Sequence, residues 1–327
     1  MRFLLLLFSV LTAAHAAPPV DRPYGKRDDV REFVHEMARK HGFIEEELRF
    51  LFSRARREAP ILEAIVPKKD PKARSWQLYR ARFVTENRIA EGAEFARKHA
   101  QALARAAEEH GVPEEIIVAI IGVETIYGRN MGVWRVIDAL STLAFDYPPR
   151  AEFFRSELEQ FLLYARETGI DVFSVRGSYA GAIGIPQFMP GSYRRFAVDF
   201  DGDGNANLRQ SPADAIGSVA NFLAKHGWRR GERIELPARV TGEGHRKLID
   251  AGIEPQTPLG ELKNFGVETR TDLSLDTKVA LIELENAEAP AEYRIGLRNF
   301  YVITRYNRSV LYASAVVDLA QEIKKRR

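Results

Sequence analysis

The chain has 327 residues, 45% of them hydrophobic, and its 48 Lys and Arg against 45 Asp and Glu leave a formal net charge of +3. It has no cysteine, which excludes disulfides, thiolate metal sites and an acylated cysteine anchor. The charges are interspersed apart from the tail Lys324-Lys325-Arg326-Arg327, so no basic stripe for a nucleic acid is present, and the length suits about two domains or one lobed domain.

Residues 1–16 read as a signal peptide: Arg2, an apolar run from Phe3 to Leu11, and the small-x-small site Ala14-His15-Ala16. That run is too short to span a membrane. The expectation is export to a bacterial periplasm as a soluble protein with no membrane anchor. Residues 17–110 read as a helical N-terminal lobe. Val30–Arg39, Ile44–Ala59 and Trp76–Glu109 carry apolar residues at three- and four-residue spacing. The last stretch is long and is expected to bend near Gly92; the charged run Lys68 to Lys72 breaks the pattern before it.

Residues 111–230 read as the core. Pro113 opens a helix that stops near Gly128. Pro148–Thr168 gives another helix, ended by Gly169. Ser178–Pro190 is rich in Gly and Pro and reads as a loop. Pro212–His226 is helical with Ser211 as its N-cap. Residues 231–300 switch to short runs typical of strands, Arg233–Val240 and Val279–Leu284, with Asn299–Thr304 read as a further strand. They predict a small β-containing lobe. Residues 301–327 form a C-terminal segment whose helix, Ser309–Lys325, packs back on the core. The fold class is mainly α, with α+β character.

Glu124 stands out. The run Ile116–Tyr127 reads I-I-V-A-I-I-G-V-E-T-I-Y, and past the opening Glu114-Glu115 pair Glu124 is its one carboxylate. Ile120, Ile121 and Ile117 lie one and two turns back on the same face. A carboxylate placed there is desolvated, which raises its pKa toward the range of a general acid. The helix alone also allows a Glu paired with an Arg inside the core. No second acid has a comparable setting, as the two carboxylates of ordinary glycosidases would require; Asp138 and Asp146 read as caps or ion-pair partners. The seven histidines show no metal or Ser-His spacing, and His110 and His226 read as helix C-terminal residues.

Asp199-Phe200-Asp201-Gly202-Asp203-Gly204-Asn205 matches the opening of an EF-hand loop. The twelfth position is Gln210 instead of a bidentate Glu, and Asp214 lies further on, able to close a longer loop. The candidate ligands for a structural Ca2+ are Asp199, Asp201, Asp203, Asn205 and Asp214. A solvated Asp/Gly turn without an ion is the alternative, and a lone loop argues against a calcium sensor.

Four blocks, in order, resemble the B-type lytic murein transglycosylases: Gly122-Val123-Glu124-Thr125 with Tyr127 to Gly132; Gly177 to Ala182 with Pro186-Gln187-Phe188-Met189-Pro190; the Asp-rich loop with Asp214 to Asn221; and Ile303 to Ser309 with Tyr312. The resemblance covers about residues 30–320. It implies a lysozyme-like helical core around a glycan groove, and non-hydrolytic cleavage of the β-1,4 bond between N-acetylmuramic acid and N-acetylglucosamine with a 1,6-anhydro-muramoyl product. Glu124 matches the family's single catalytic acid, and no cofactor is implied for catalysis. Ser178 and Gln187 are implied to line the cleft. Tyr179, Phe188, Tyr306 and Tyr312 are candidates to stack on sugars, with core packing as the alternative; Asn307 is a polar contact and Arg150 a partner for a lactyl or peptide carboxylate. Peptidoglycan strands are the expected partner, with other cell-wall enzymes as further candidates. Absence of a lipidated Cys and a loop one residue longer depart from the pattern. The competing readings are a muramidase using water and a non-catalytic peptidoglycan-binding scaffold.

Overall fold

The computed structural model describes residues 23–66 and 75–327. The signal-peptide segment and the Lys68–Lys72 break lie outside the described residues. Helix α1 (Asp28–His41) shows why the N-terminal part is helical: Asp28 and Asp29 sit at its positive end, Arg39, Lys40 and His41 at its negative end, and Gly42 closes it in a left-handed turn. Its buried face is Val30, Phe33, Val34 and Met37, a spacing of one helical stripe. Helices α2 (Glu45–Arg54) and α3 (Ala59–Ile65) follow.

The stretch expected as one long helix is three: α4 (Trp76–Phe83), α5 (Glu86–Lys98) and α6 (Ala100–His110). The breaks fall at Val84-Thr85 and at His99, not at Gly92. Thr85 caps α5, its hydroxyl accepting from the Arg88 N–H at 3.2 Å. Gly92 sits inside α5, where a Cβ would strike the Tyr127 hydroxyl and Ile323, so close packing and not bending requires glycine there.

Helix α7 (Glu114–Thr125) is the centre of the molecule. Residues 116–123 are all buried, and α7 packs against α5 and α6 and two later helices. A chain turn leads to strand β1 (Trp134–Arg135), then α8 (Val136–Asp146) and α9 (Ala151–Thr168), which pack together; a 3-10 turn at Pro148–Arg150 precedes α9. Strand β2 (Arg176–Gly177) pairs with β1. Helices α10 (Pro190–Phe196) and α11 (Pro212–Lys225) flank the Asp-rich loop; Ser211 caps α11 by accepting from the Asp214 N–H at 3.1 Å.

The remaining segment builds the small sheet. Strands β3 (Glu235–Pro237) and β4 (Arg239–Val240) are followed by α12 (Arg246–Asp250), β5 (Thr257–Pro258), β6 (Val267–Glu268), β7 (Lys278–Leu284) and β8 (Glu292–Gly296). The antiparallel order is β3-β8-β7-β5, with β4 and β6 paired separately. Leu236, Leu281 and Ile295 lie opposite one another in register and fill a second hydrophobic cluster. The run expected as one strand, Arg233–Val240, splits at Ala238 because its two halves pair with different partners.

Asn299–Thr304 is not a strand but part of helix α13 (Arg298–Tyr306). Its Val, Ile and Thr suggested a strand. Tertiary contacts override that preference: Asn299, Phe300, Val302 and Ile303 form one buried helical face, and Asn299 donates to the carbonyls of Arg229 and Glu232 while accepting from the Arg229 N–H. Helix α14 (Val310–Arg326), capped by Ser309, returns to lie along α7, α5 and α4.

Candidate active site

Glu124 occupies the last turn of α7, and the helix ends on it abruptly. Ile126, Tyr127 and Gly128 take φ of 52°, 58° and 87° in succession. A β-branched residue in the left-handed region is strained, and such strain persists only where surroundings fix it. Here they do. The Thr125 hydroxyl donates to the Ile185 carbonyl at 2.7 Å and accepts from the Gly128 N–H at 2.9 Å. The Tyr127 hydroxyl donates to the Arg88 carbonyl at 2.8 Å. The end of α7 is thereby locked to the loop around Gly184–Gln187 on one side and to α5 on the other.

The carboxyl of Glu124 is half-buried above Ile117, Ile120 and Ile121, which have no exposed surface. Its Oε1 accepts a hydrogen bond from the Tyr312 hydroxyl at 2.7 Å. Burial raises its pKa to about 7, against the smaller lowering by that hydrogen bond. No arginine is paired with it among the described residues; Asp138 accepts from Arg135 and the Arg56 N–H, and Asp146 from Arg27 and Tyr24. Both neighbouring acids are thus ion-pair partners, as their sequence setting suggested.

Three tyrosines frame the acid. Tyr312, at the start of α14, is 2% exposed. Its ring lies parallel to that of Tyr306, 6.4 Å between centroids, and the Tyr306 hydroxyl donates to the Pro186 carbonyl. Tyr79 on α4 was not foreseen; its phenol is pushed up to about 12, first by burial and then by the charge of Glu124. Its signal is long-range, since α4 is held at the site by packing on the sequence-distant α14 and by ties to the sheet.

The other expected groove residues divide. Phe188 does not face a sugar: it is 2% exposed and packs between Phe222 and Tyr306. Tyr312 is likewise too buried to stack on a sugar, and its hydroxyl is committed to Glu124. Ser178 holds its own turn, its oxygen accepting from the N–H groups of Ala180 and Ala182 at 3.3 and 3.1 Å. Gln187, at φ 52°, donates through Nε2 to the carbonyls of Met131 and Gly184, which leaves Oε1 to accept. Tyr179 is 42% exposed. Asn307 is exposed just beyond Tyr306. Arg150 is exposed, its guanidinium 4.3 Å from the centre of the Phe153 ring, and Arg129 is taken by Glu91.

In the Asp-rich loop, carboxylate oxygens of Asp199, Asp201 and Asp203 lie within 4.8 Å of one another. Asp199 accepts from the N–H groups of Gly202, Asp203 and Gly204, a closure that needs Gly202 and Gly204 at φ 80° and 94°. Asn205 is exposed beside them. Asp214 does not join this cluster. It is fully buried, with one oxygen accepting from Phe200 and Asp201 N–H and the other from Asn207 N–H. Its place is beneath the loop, holding the backbone; the hydrogen bonds to backbone take the oxygens that the ligand reading assigned to an ion. The cluster's hard oxygen donors fit a cation such as Ca2+.

A family model described as a transglycosylase SLT domain matches residues 25–321. Membrane-bound lytic murein transglycosylase B of Escherichia coli strain K12 is 39% identical over 323 residues, 96% of this chain and 88% of its own. Among solved structures, the catenated lytic transglycosylase SltB1 from Pseudomonas aeruginosa is 51% identical with a TM-score of 0.87, covering 93% of this chain and 99% of that one. The Escherichia coli lytic transglycosylase Slt35 in complex with calcium is 40% identical with a TM-score of 0.82, covering 92% and 94%. The matched span includes Glu124, its three tyrosines and the Asp-rich loop. The chain therefore belongs to the SLT family of lytic transglycosylases.

Proposed function

We propose that Glu124 is the single acid and base with which this lytic transglycosylase cleaves peptidoglycan between N-acetylmuramic acid and N-acetylglucosamine. The protonated carboxyl gives its proton to the glycosidic oxygen as the bond to C1 breaks, and the N-acetylglucosamine leaves with a free hydroxyl. The carboxylate then takes the proton of the muramoyl O6 hydroxyl as that oxygen bonds to C1, which closes the 1,6-anhydro ring and restores the starting acid. One group serves both steps because one proton enters and one returns. The observation that carries this reading is a carboxyl set on an isoleucine wall whose one hydrogen-bond partner among the described residues is a neutral hydroxyl, a setting that raises its pKa to about 7. Tyr79, Tyr306, Tyr179, Ser178, Gln187, Asn307 and Arg150 line the glycan path in this reading, and Tyr312 orients the acid.

The test is mass spectrometry of fragments released from purified peptidoglycan by the protein and by Glu124→Gln. Anhydro-muramoyl ends from the first and none from the second are expected. Reducing ends would make it a muramidase, and no release from either a binding scaffold.

The localisation proposed is the periplasm, where the substrate lies. Asp199, Asp201, Asp203 and Asn205 are proposed to hold a structural Ca2+, a reading supported by the relative crystallised with that ion. Calcium at about a hundred times its Kd should then add about 2.7 kcal/mol of stability. Thermal melts in calcium and in EGTA check this: the shift should vanish in Asp203→Asn, and identical melts for the unaltered protein would reduce the loop to a turn.

A further inference from the structure

Away from Glu124, the β lobe carries a cleft of about 640 Å³ whose lining lies wholly between residues 237 and 275. Its floor is aliphatic. Leu259, Leu262 and Val267 belong to the lobe's own hydrophobic cluster, and Leu273 packs against that cluster. Among the described residues no aromatic ring lines it. Leu275 also lines the cleft and is 68% exposed. Its carbonyl accepts from the Gly260 N–H at 2.9 Å, so the backbone is fixed where it presents an apolar side chain to solvent.

Three exposed cations line the same cleft: Arg239, Lys263 and Arg270. Among the described residues none of them meets a carboxylate. The other arginines between residues 233 and 296 do: Arg233 pairs with Asp272 at 2.7 Å, Arg246 with Glu243 at 3.0 Å and Arg294 with Glu235 at 2.8 Å. The one acid in the lining, Glu268, stands opposite Arg239 in the β4–β6 register without an ion pair to it. These features sort the possible ligands. With no ring to stack on, the cleft offers a base or a sugar no platform. A peptide would need partners for its amides, but both hydroxyls in the lining are engaged within the fold. Thr269 donates to the Pro237 carbonyl at 2.8 Å, and Thr271 accepts from Arg233 and from the Leu273 N–H at 3.1 and 3.2 Å. What remains is aliphatic surface beside unpaired positive charge, which suits an aliphatic chain with an anionic head.

We propose that this cleft binds an anionic phospholipid, with an acyl chain on the floor of Leu259, Leu262 and Leu273 and the headgroup phosphate among Arg239, Lys263 and Arg270. Leu275 enters the acyl layer beside it. The β lobe thereby docks the protein reversibly on an anionic membrane surface, by a site separate from Glu124.

The test is co-sedimentation with two kinds of vesicle: phosphatidylglycerol mixed with phosphatidylcholine, and phosphatidylcholine alone. Binding to the first and not to the second is expected. The double variant Lys263→Gln, Arg270→Gln should bind the mixed vesicles roughly tenfold more weakly or worse, and Leu275→Ser about fivefold more weakly. All three positions are exposed, so melting temperatures and release of peptidoglycan fragments should match those of the unaltered protein. A variant of the basic tail, Lys324→Gln with Lys325→Gln, should still bind; loss of binding there would assign the effect to general basicity and overturn the site. Binding to neither vesicle, equal binding to both, or cleft variants that bind normally would overturn it too. A Leu-Leu peptide with a free carboxylate, titrated in parallel, should not bind. If it binds in a manner dependent on Lys263 and Arg270 while the vesicles do not, the cleft takes a peptide end and the lipid assignment is wrong.

Discussion

Glu124 keeps its proton up to about pH 7 because the isoleucine wall solvates a charge poorly, and Tyr312 works against that wall by hydrogen-bonding the charged form. Two predictions follow at this scale. The folded state holds the proton more tightly than the unfolded chain, where the ordinary value is 4.5. The stability this contributes is complete below about pH 4.5 and is lost as the pH rises through about 7. Glu124→Gln has no proton to lose, so it should be more stable than the parent at pH 8 by roughly 2–3 kcal/mol, with the gap closing toward pH 4.5. Urea titrations at both pH values read this; a constant gap would mean an unperturbed carboxyl. Tyr312→Phe removes the one lowering contact, so the alkaline limb of the rate profile should move up by about one pH unit. A fixed limb would deny the hydrogen bond its role. The acid was legible in the sequence because nothing else ionises in that face of the helix. The role of Tyr312 was not: its hydroxyl meets Glu124 across 188 positions of chain. Asp214 was misleading for the opposite reason, since its spacing suggested a ligand while its burial makes it a backbone holder.

At the scale of elements, Gly92 illustrates what a local pattern leaves out. Glycine in a long helical stretch suggests a bend, yet here α5 continues unbroken past it and Tyr127 and Ile323 press into the space a Cβ would need. Three helices meet at that point: α5, the end of α7, and α14. Tyr127 cannot easily retreat, because its left-handed backbone and its hydrogen bond to Arg88 fix it. Gly92→Ala should therefore cost about 1–3 kcal/mol by overpacking, whereas an exposed helical Gly→Ala change would stabilise. Chemical denaturation decides between the two signs. The helix starts were legible where a cap stood in sequence, as at Ser211 and Ser309. Thr85 offered the same signal three residues before Arg88 and marks a break that apolar spacing ran straight across. In α13 the β-branched residues misled because a strand and a helix of nine residues bury similar numbers of them; only the partners of Asn299 settle the period. Strand β8 carries few apolar residues beyond Tyr293 and Ile295 and is recognisable mainly through its pairing with β7.

Across the whole molecule, the sheet, α4 and α14 are tied by one charged cluster. Arg294 of β8 bonds Asp318 of α14 at 2.7 Å, Glu235 of β3 at 2.8 Å and Glu292 at 2.6 Å. Asp318 also accepts from Arg80 of α4 at 2.6 Å. Trp76, fully buried at the start of α4, lies under the Arg294 guanidinium and donates to Glu292. The β7–β8 turn caps the same helix, with the Glu285 carbonyl accepting from the Trp76 N–H at 2.7 Å. Helix α4 is only eight residues long, too short to be stable by itself, so its position depends on these ties. The same two helices carry Tyr79 and Tyr312 to the acid. Removing the cation from such a cluster leaves Glu235 and Asp318 buried without their common partner, and Arg294→Gln should cost about 3–5 kcal/mol at pH 8. Glu235 adds a pH signature. Burial, Asp318 and Glu292 raise its pKa and Arg294 lowers it, for a net value of about 7. Without Arg294 the value rises further, so the variant's deficit should narrow between pH 8 and pH 5 as Glu235 takes up a proton and its charge no longer needs a partner. Urea unfolding at the two pH values measures the deficit directly. A loss that is equal at both would assign the cluster's contribution to packing around Trp76 instead of to charge.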